Sequence, residues 1–392
     1  MTESTIQPSP ESSVPENGNC WIELSKRALD NNIAMFRKLL SPTQKLMCVV
    51  KSNAYGHGMV PIAKGVIGSG ADWLGVFSVE EGVQLRLAGI EAPVLVLGPS
   101  FGIQVTLAAK YCLDITIASL TGLNEYLSAL PRATVPVHLK LETGTHRQGI
   151  MYDEIDDIAR RILDTQIPVV GAYTHYADIE DTTEHAFAAG QRAQFEISIS
   201  RLKALGVPIA MPHTACTAAA ILFPNTYFEM VRVGIGTYGL WPSKATNVSA
   251  QNLGRAPLQL MPVMNWKTRI AQIKTVKSGD FVGYGRTFRT TRDTRIAILP
   301  VGYADGYPRS FSNAANTLVR GMRARVVGRV CMNLTMIDVT DIPNATEGDA
   351  VTLLGADGDE TVTAEQLAAC AGTINYEIVT RAAPGAPRRL LD

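Results

Sequence analysis

The sequence predicts an α/β protein: an N-terminal (β/α)8 TIM barrel followed by a C-terminal β-rich domain. Three observations carry this expectation. From residue 25 onward, eight short apolar runs alternate with helix-patterned segments, the mark of parallel βαβ units. All eight fit within about 230 residues, the span of a closed eight-unit barrel. After residue 255 the texture changes to near-alternation of polar and apolar residues, the period of half-buried strands. The expected domains are a disordered polar tail at 1–18, the barrel at 19–255 and the β-rich domain at 256–392.

The elements follow in order. Residues 26–40 place Ala28, Leu29, Ile33, Phe36 and Leu40 at helical spacing. The buried-strand runs are 46–50, 73–77, 94–97, 115–118, 135–141, 169–173, 208–211 and 228–231, with amphipathic stretches at 79–87, 153–163 and 186–205 among them. An open doubly wound sheet would call for GxGxxG after the first strand, and VVKSNAYGHG is not that. In the second domain, 262–276, 294–301, 318–330, 334–339 and 350–355 read as strands, and only 363–371 reads as a helix.

Composition removes other classes. The 392 residues balance 36 Lys+Arg against 36 Asp+Glu, so no basic excess suits a nucleic-acid backbone or an anionic membrane. The tail MTESTIQPSPESSVPENGN has neither a basic start nor an apolar run, so it is read as disordered, not as a leader or anchor. No window reaches the roughly 18 apolar residues of a membrane span. Cys20, Cys48, Cys112, Cys216, Cys331 and Cys370 include no CxxC and sit among apolar or small residues. They read as reduced, mostly buried thiols of a cytoplasmic protein, with no zinc site and no disulfides.

In a barrel enzyme, chemistry collects at the C-terminal ends of the strands. The first run ends at Lys51, inside VVKSNAYGHG. Burial lowers a lysine's pKa and makes its amine a nucleophile toward aldehydes; the alternative is a solvated loop lysine. The fifth run gives LKLETGTHRQG with Lys140, His146 and Arg147, and the sixth ends in YTHYAD with His175. The seventh leads into HTACTAA with His213 and Thr217, and the eighth into MVRVGIGTYG with Arg232, Gly234 and Gly236. Amides at Gly234 and Ile235 beside Thr217 would form an anion cradle of the kind barrels build after strands seven and eight. Each element alone is weak, since a glycine-rich turn is usually only a turn. Their meeting on one face carries the reading.

VVKSNAYGHG, THYAD, VRVGIGTYGLWPS, VGYGRT, LPVGYADGYPR, GRVCMN and INYEIVTR, in that order from residue 21 to 389, resemble the alanine racemase family. The resemblance implies pyridoxal 5'-phosphate as cofactor, an amino acid as substrate, and a supply of D-alanine for cell-wall precursors. It implies that Lys51 carries the cofactor and that Arg232 faces the pyridine nitrogen. A guanidinium donates but never accepts, so it leaves that nitrogen unprotonated. Tyr55, Thr217, Gly234, Ile235 and Tyr376 would hold the phosphate, and His175 would lie near the ring. Arg147 and the backbone amide of Met332 would receive the substrate carboxylate. Lys140 stands at a position often carbamylated in the family, where the anion fixes Arg147.

Racemisation needs two acid–base groups on opposite faces of Cα. The resemblance implies Lys51 and Tyr284 for these roles; without it, Tyr284 would be read as a core or rim aromatic. A tyrosine titrating near 10 needs nearby cations to act as a base, and Arg232 or His175 are the expected ones. Tyr284, Met332 and Tyr303 would reach the partner's site, implying a head-to-tail homodimer. The chain departs from the family pattern at Thr145 and His146 in TGTHRQG, at Cys216 in place of Asn and at Asn333 in place of Asp. Such changes shift selectivity by ~1–3 kcal/mol, which leaves a racemase of serine or a longer amino acid as the alternative. A decarboxylase would set an acid, not Arg232, against the pyridine nitrogen. A pyridoxal phosphate carrier would lack the second domain.

Overall fold

The computed structural model describes residues 18–130, 134–255 and 258–392, so the polar tail read over 1–18 lies outside the described residues except for Gly18. The chain divides into two compact units. One holds the described residues up to Leu24 together with Met264–Arg389, the other Ser25–Val263 with the last three residues.

The first strand, β1 (Cys20–Ser25), corrects the expected boundary at 19. It pairs antiparallel with β10 (Met264–Arg269), from Cys20 opposite Thr268 to Leu24 opposite Met264, so its residues up to Leu24 belong to the β-rich unit. The alternation in CWIELS is too brief to signal a strand whose partner lies so far along the chain.

The barrel unit has eight parallel strands: β2 (Lys45–Val49), β3 (Trp73–Val76), β4 (Val94–Val96), β5 (Asp114–Ile117), β6 (Val137–Lys140), β7 (Val169–Tyr173), β8 (Met211–His213) and β9 (Met230–Val233). Ladders run in sequence from β2 to β8, and β9 returns to pair with β2. Glu229 N–H to Pro212 O (3.1 Å) and Arg232 N–H to Ala215 O (3.0 Å) tie the β8 and β9 segments and complete the ring. Each expected strand is present. The β8 run begins three residues later than read, because the polar but buried His213 belongs to the strand. Met47, Trp73, Leu95 and Met230 pack as a cluster, with Leu97 and Met211 against it. The helices start where their caps dictate: Ser25 Oγ accepts from Ala28 N–H ahead of Lys26–Leu39, and Ser78 Oγ from Glu81 N–H ahead of Val79–Leu87.

In the β-rich unit, β10 alternates buried Met264, Trp266 and Thr268 with half-buried neighbours, as its sequence pattern requires. The remaining strands are β11 (Gln272–Val276), β12 (Phe281–Val282), β13 (Phe288–Arg289), β14 (Thr294–Leu299), β15 (Asn316–Val319), β16 (Met322–Arg325), β17 (Thr335–Asp338), β18 (Ala350–Asp357), β19 (Glu360–Val362) and β20 (Arg388–Leu391). The main sheet runs β16-β15-β18-β10-β1-β20, and a second runs β11-β14-β17. Thr363 and Gln366 form the capping box of Ala364–Ala371. A further helix, Asn375–Arg381, was not expected from the pattern. Among the described residues, no helix is long and apolar enough to cross a membrane, and no group of three His, Cys, Asp or Glu could hold a metal. All six cysteines are free; only Cys48 and Cys216 are buried and Cys112 is exposed, a correction to the expectation that most are buried.

Candidate active site

Lys51 follows directly on β2 and opens a five-residue turn, Lys51–Tyr55. Ser52, Asn53, Ala54 and Tyr55 all have φ between +51° and +54°. Left-handed backbone is unfavourable by about 1–2 kcal/mol per L residue, so the turn must be held from outside. Glu81 does this from the first turn of the helix Val79–Leu87: Oε1 accepts from Ser52 N–H (2.6 Å) and Oε2 from Phe77 N–H (2.7 Å). Asn53 Oδ1 accepts from Met59 N–H at 2.8 Å. His57 Nδ1 lies 3.1 Å from both the Ala54 and Tyr55 carbonyls, so it carries the proton. The His57 ring stacks on Tyr238 (4.4 Å), whose hydroxyl donates to Val49 O at 2.8 Å. Burial, reinforced by Arg147, lowers the Lys51 pKa, with Glu81 opposing. Glu81 was invisible to the sequence reading because a glutamate near a helix start is ordinarily a solvated residue.

Lys140 ends β6 and is buried. Burial first, then Arg147 and Arg232, push its amine down to about 8. Its Nζ donates to Gln148 Oε1 (3.1 Å) and lies 5.6 Å from the Tyr173 ring centre. The loop carrying Arg147 is shaped by Glu142, whose carboxylate accepts from Gly144 and Thr145 N–H at 2.6 Å and from Arg147 N–H at 3.4 Å. Thr145 Oγ1 donates to the His175 carbonyl at 2.6 Å, joining this loop to the end of β7.

His175 meets four cations. Burial, then Arg232, Arg147, Lys140 and Lys51, push its imidazole down to about 3. It is therefore neutral at neutral pH, which corrects the expectation that His175 could serve as a cation. The charges of Lys51, Lys140, Arg147 and Arg232 are thus all close enough to act on His175. Arg232 is held rigidly: Nη1 donates to His213 Nδ1 (2.7 Å) and His213 O (3.0 Å), and Nη2 to Thr174 O (2.7 Å) and Thr214 O (3.0 Å). Its guanidinium lies over Tyr173, 5.1 Å from the ring centre. Nε has no hydrogen-bond partner among the described residues.

At the cradle, Thr217 Oγ1 accepts from Gly234 N–H (3.0 Å) and Gly236 N–H (3.4 Å). A Cβ on Gly234 would stand 2.6 Å from the Tyr55 hydroxyl, so glycine is required where these two segments meet. Ile235 opens the 3-10 turn Ile235–Tyr238 beside them. Cys216 precedes Thr217 and is buried; desolvation and Glu180 push its thiol up to about 12, so it is unreactive.

Tyr284, Met332, Tyr303 and Tyr376 belong to the β-rich unit. Tyr284 is 71% exposed in a turn between Gly283 (φ +73°) and Gly285 (φ +70°), so it is not a core aromatic. Tyr303 N–H donates to Cys331 O (3.1 Å) and Ala304 N–H to Met332 O (2.9 Å), which lays the GYADG and VCMN segments side by side. Asn333 Nδ2 faces Asp305 Oδ2 at 3.4 Å, where an aspartate would set two carboxylates together. Tyr376 lies in Asn375–Arg381.

Fold and site define a two-unit chain: a parallel barrel with a strand-end lysine beside a group of cations, and a β-rich unit. The alanine racemase N-terminal domain matches residues 24–242 and the alanine racemase C-terminal domain residues 263–390. The alanine racemase of Leptospira interrogans serogroup Icterohaemorrhagiae serovar copenhageni is 39% identical over 386 residues, 97% of this chain and 98% of its own length. That of Symbiobacterium thermophilum is 40% identical over 374 residues, 94% of this chain and 96% of its own. The crystal structure of alanine racemase from Bacillus anthracis with bound L-Ala-P has a TM-score of 0.86 at 34% identity, covering 94% of this chain and 93% of that one. The chain belongs to the alanine racemase family.

Proposed function

We propose that this protein interconverts L- and D-alanine with pyridoxal 5'-phosphate bound at the barrel site, using Lys51 and Tyr284 as acid–base groups on opposite faces of Cα. The observation that carries the reading is Arg232. Four hydrogen bonds from its two Nη atoms fix the guanidinium and leave Nε as its one unpartnered donor. The remaining residues fit the cofactor as well. Glycine at 234, under the Tyr55 hydroxyl and beside Thr217, leaves room at a phosphate cradle. Lys51, its pKa lowered by burial, has the amine an aldehyde requires. When bound, the cofactor supplies the electron sink that acidifies the Cα–H bond.

The chain's own residues do the rest. Arg232 donates and cannot accept, so it holds the ring nitrogen unprotonated and keeps the sink weak, which favours prompt return of the proton over side reactions. Arg147 and the Met332 amide bind the substrate carboxylate, and Lys140, once carbamylated, presents the anion that orients Arg147. Lys51 moves the proton on one face of Cα and the Tyr284 hydroxyl on the other. Tyr55, Thr217, Gly234, Ile235 and Tyr376 hold the phosphate. Tyr284, Met332 and Tyr303 come from a second copy in a head-to-tail homodimer. The Thr145 hydroxyl donates its one proton to the His175 carbonyl, which ties the Arg147 loop to the end of β7. Six free thiols agree with a cytoplasmic setting.

Chiral chromatography after incubation with L-alanine and pyridoxal 5'-phosphate should show D-alanine approaching equal amounts. Serine, lysine and arginine run in parallel should be poorer substrates. Borohydride should fix the cofactor on the peptide containing Lys51. Fixation on Lys140 or Lys64 would overturn the assignment of the cofactor lysine.

A further inference from the structure

Arg232 is a wholly desolvated cation with no carboxylate ion pair among the described residues. Burying a guanidinium without a counter-charge is strongly unfavourable. The structure holds a path to one. Arg232 Nη1 lies 2.7 Å from His213 Nδ1, His213 Nε2 lies 3.0 Å from His138 Nδ1, and His138 Nε2 lies 3.5 Å from Asp114 Oδ2. We infer that Asp114, His138 and His213 form a polarised relay through the barrel that serves as the remote counter-charge of Arg232, which makes Asp114 and His138 positioning residues for the reaction.

The direction of every proton follows from Arg232. A guanidinium has no acceptor, so His213 Nδ1 must be bare and His213 Nε2 must carry the proton. His138 Nδ1 then accepts, and His138 Nε2 carries the next proton toward Asp114. That nitrogen is buried with no hydrogen-bond partner of its own, so the carboxylate is what its N–H faces. Two neutral imidazoles thus link one positive and one negative end, and such chains polarise cooperatively. Burial and Arg232 hold the His213 imidazole well below its ordinary range, consistent with a ring that stays neutral.

The barrel is built to admit this path. His138 is on β6 and His213 on β8, alternate strands whose inward side chains share a layer. The strand between them carries Gly171, where a Cβ would stand 2.7 Å from His138 Nδ1 and 2.4 Å from the Met211 carbonyl. Any other residue there would break the link. Trp73 meets the His138 ring edge-on (5.7 Å) and Tyr173 stacks on His213 (4.9 Å), so both rings are held. Asp114 opens β5 at the N-terminal rim, the side of a barrel ordinarily given to stability.

Only the effect on turnover rests on the racemase reading; the proton positions do not. The chain has six histidines, so ¹⁵N-histidine labelling can resolve their tautomers with and without pyridoxal 5'-phosphate. His138 and His213 should both show a protonated Nε2 and a bare Nδ1. Asp114→Asn keeps an acceptor but removes the charge. It should retain both tautomers and shift both Nε2–H resonances. It should also lower kcat roughly tenfold at unchanged KM, by analogy with the low end for a carboxylate lost behind a metal-ligating histidine, while Asp114→Glu restores turnover. Gly171→Ala should displace the His138 resonances even in protein with Asp114 intact. A protonated Nδ1 on His213, resonances of His213 that ignore Asp114→Asn, or unaltered kcat would each overturn the relay. A wild-type protein that does not racemise would instead overturn the functional reading, and the resonances would still decide the relay.

Discussion

The barrel mouth and the loops of the β-rich unit solve opposite problems. At the mouth, Lys51, Lys140 and Arg232 are charged groups withdrawn from water, and each has its pKa lowered by that withdrawal. Their positions are over-determined: Glu81, Asn53 and His57 clamp the Lys51 turn, and four hydrogen bonds hold Arg232. In the β-rich unit, the Tyr284 and Met332 side chains are 71% and 56% exposed. The difference teaches that electrostatic preorganisation belongs to the barrel, while the Tyr284 side chain is left to solvent. This is the division expected if the site is shared between two copies.

The largest test removes the barrel's share. Lys51→Ala should lower racemisation by more than ~10⁴-fold, beyond the range of a lone acid–base group, because one side chain serves two roles. Mixed with Tyr284→Ala and allowed to exchange subunits, it should regain about a quarter of wild-type activity, since half the dimers then hold one intact site. No regain would mean both residues act within one chain.

Tyr284→Phe asks whether the exposed side acts alone. Racemisation should fall ~10²–10⁴-fold. In heavy water, D-alanine should still take deuterium at Cα through Lys51, whereas L-alanine should exchange very slowly. Equal exchange from both enantiomers would remove Tyr284 as the second base.

Gly234→Ala perturbs the barrel cradle by one methyl group, forcing Tyr55 aside. Overpacking of ~1–3 kcal/mol should weaken pyridoxal 5'-phosphate binding about 10- to 100-fold in a fluorescence titration. Unchanged affinity would show that Gly234 and Tyr55 do not hold the phosphate.

Lys140→Met gives the smallest and most diagnostic change. KM should rise while the bound cofactor's absorption stays the same, because Lys140 acts through Arg147. Stability gives the sign independently. The folded pKa of about 8 lies below the unfolded value, so the unfolded state binds more protons between pH 8 and roughly 10.4. Wild-type stability, relative to the variant, should therefore climb with pH across that window by on the order of 3 kcal/mol and stay level below it. Urea melts in buffer free of carbon dioxide check this, and a flat difference would place Lys140 in water.

The barrel was legible because its strands lie in short, mostly apolar runs spaced by helical patterns, a signal that survives a polar residue such as His213 in β8 or Arg232 in β9. Lys51, Lys140 and Arg232 were legible because strand ends carry barrel chemistry. What escaped the reading depends on contacts far apart in the chain. Glu81 matters only through Ser52 and Phe77, and His138 only through Asp114 and His213. The left-handed run from Ser52 to Tyr55 contains no glycine, so nothing local announces it. Asn375–Arg381 is too short for its period to stand out.

The pairing of β1 with β10 sets an order of events during synthesis. Ile22 leaves the ribosome about 240 residues before its partner Trp266. At ~5–20 residues per second, that leaves β1 without its neighbour for roughly 12–50 seconds, long enough for a complete barrel to form. The β-rich sheet must then recruit β1 from before a domain that has already folded. A protein cut at residue 255 to release the C-terminal domain would lack this interior strand, exposing the edges of β10 and β20 to whichever chain is nearest.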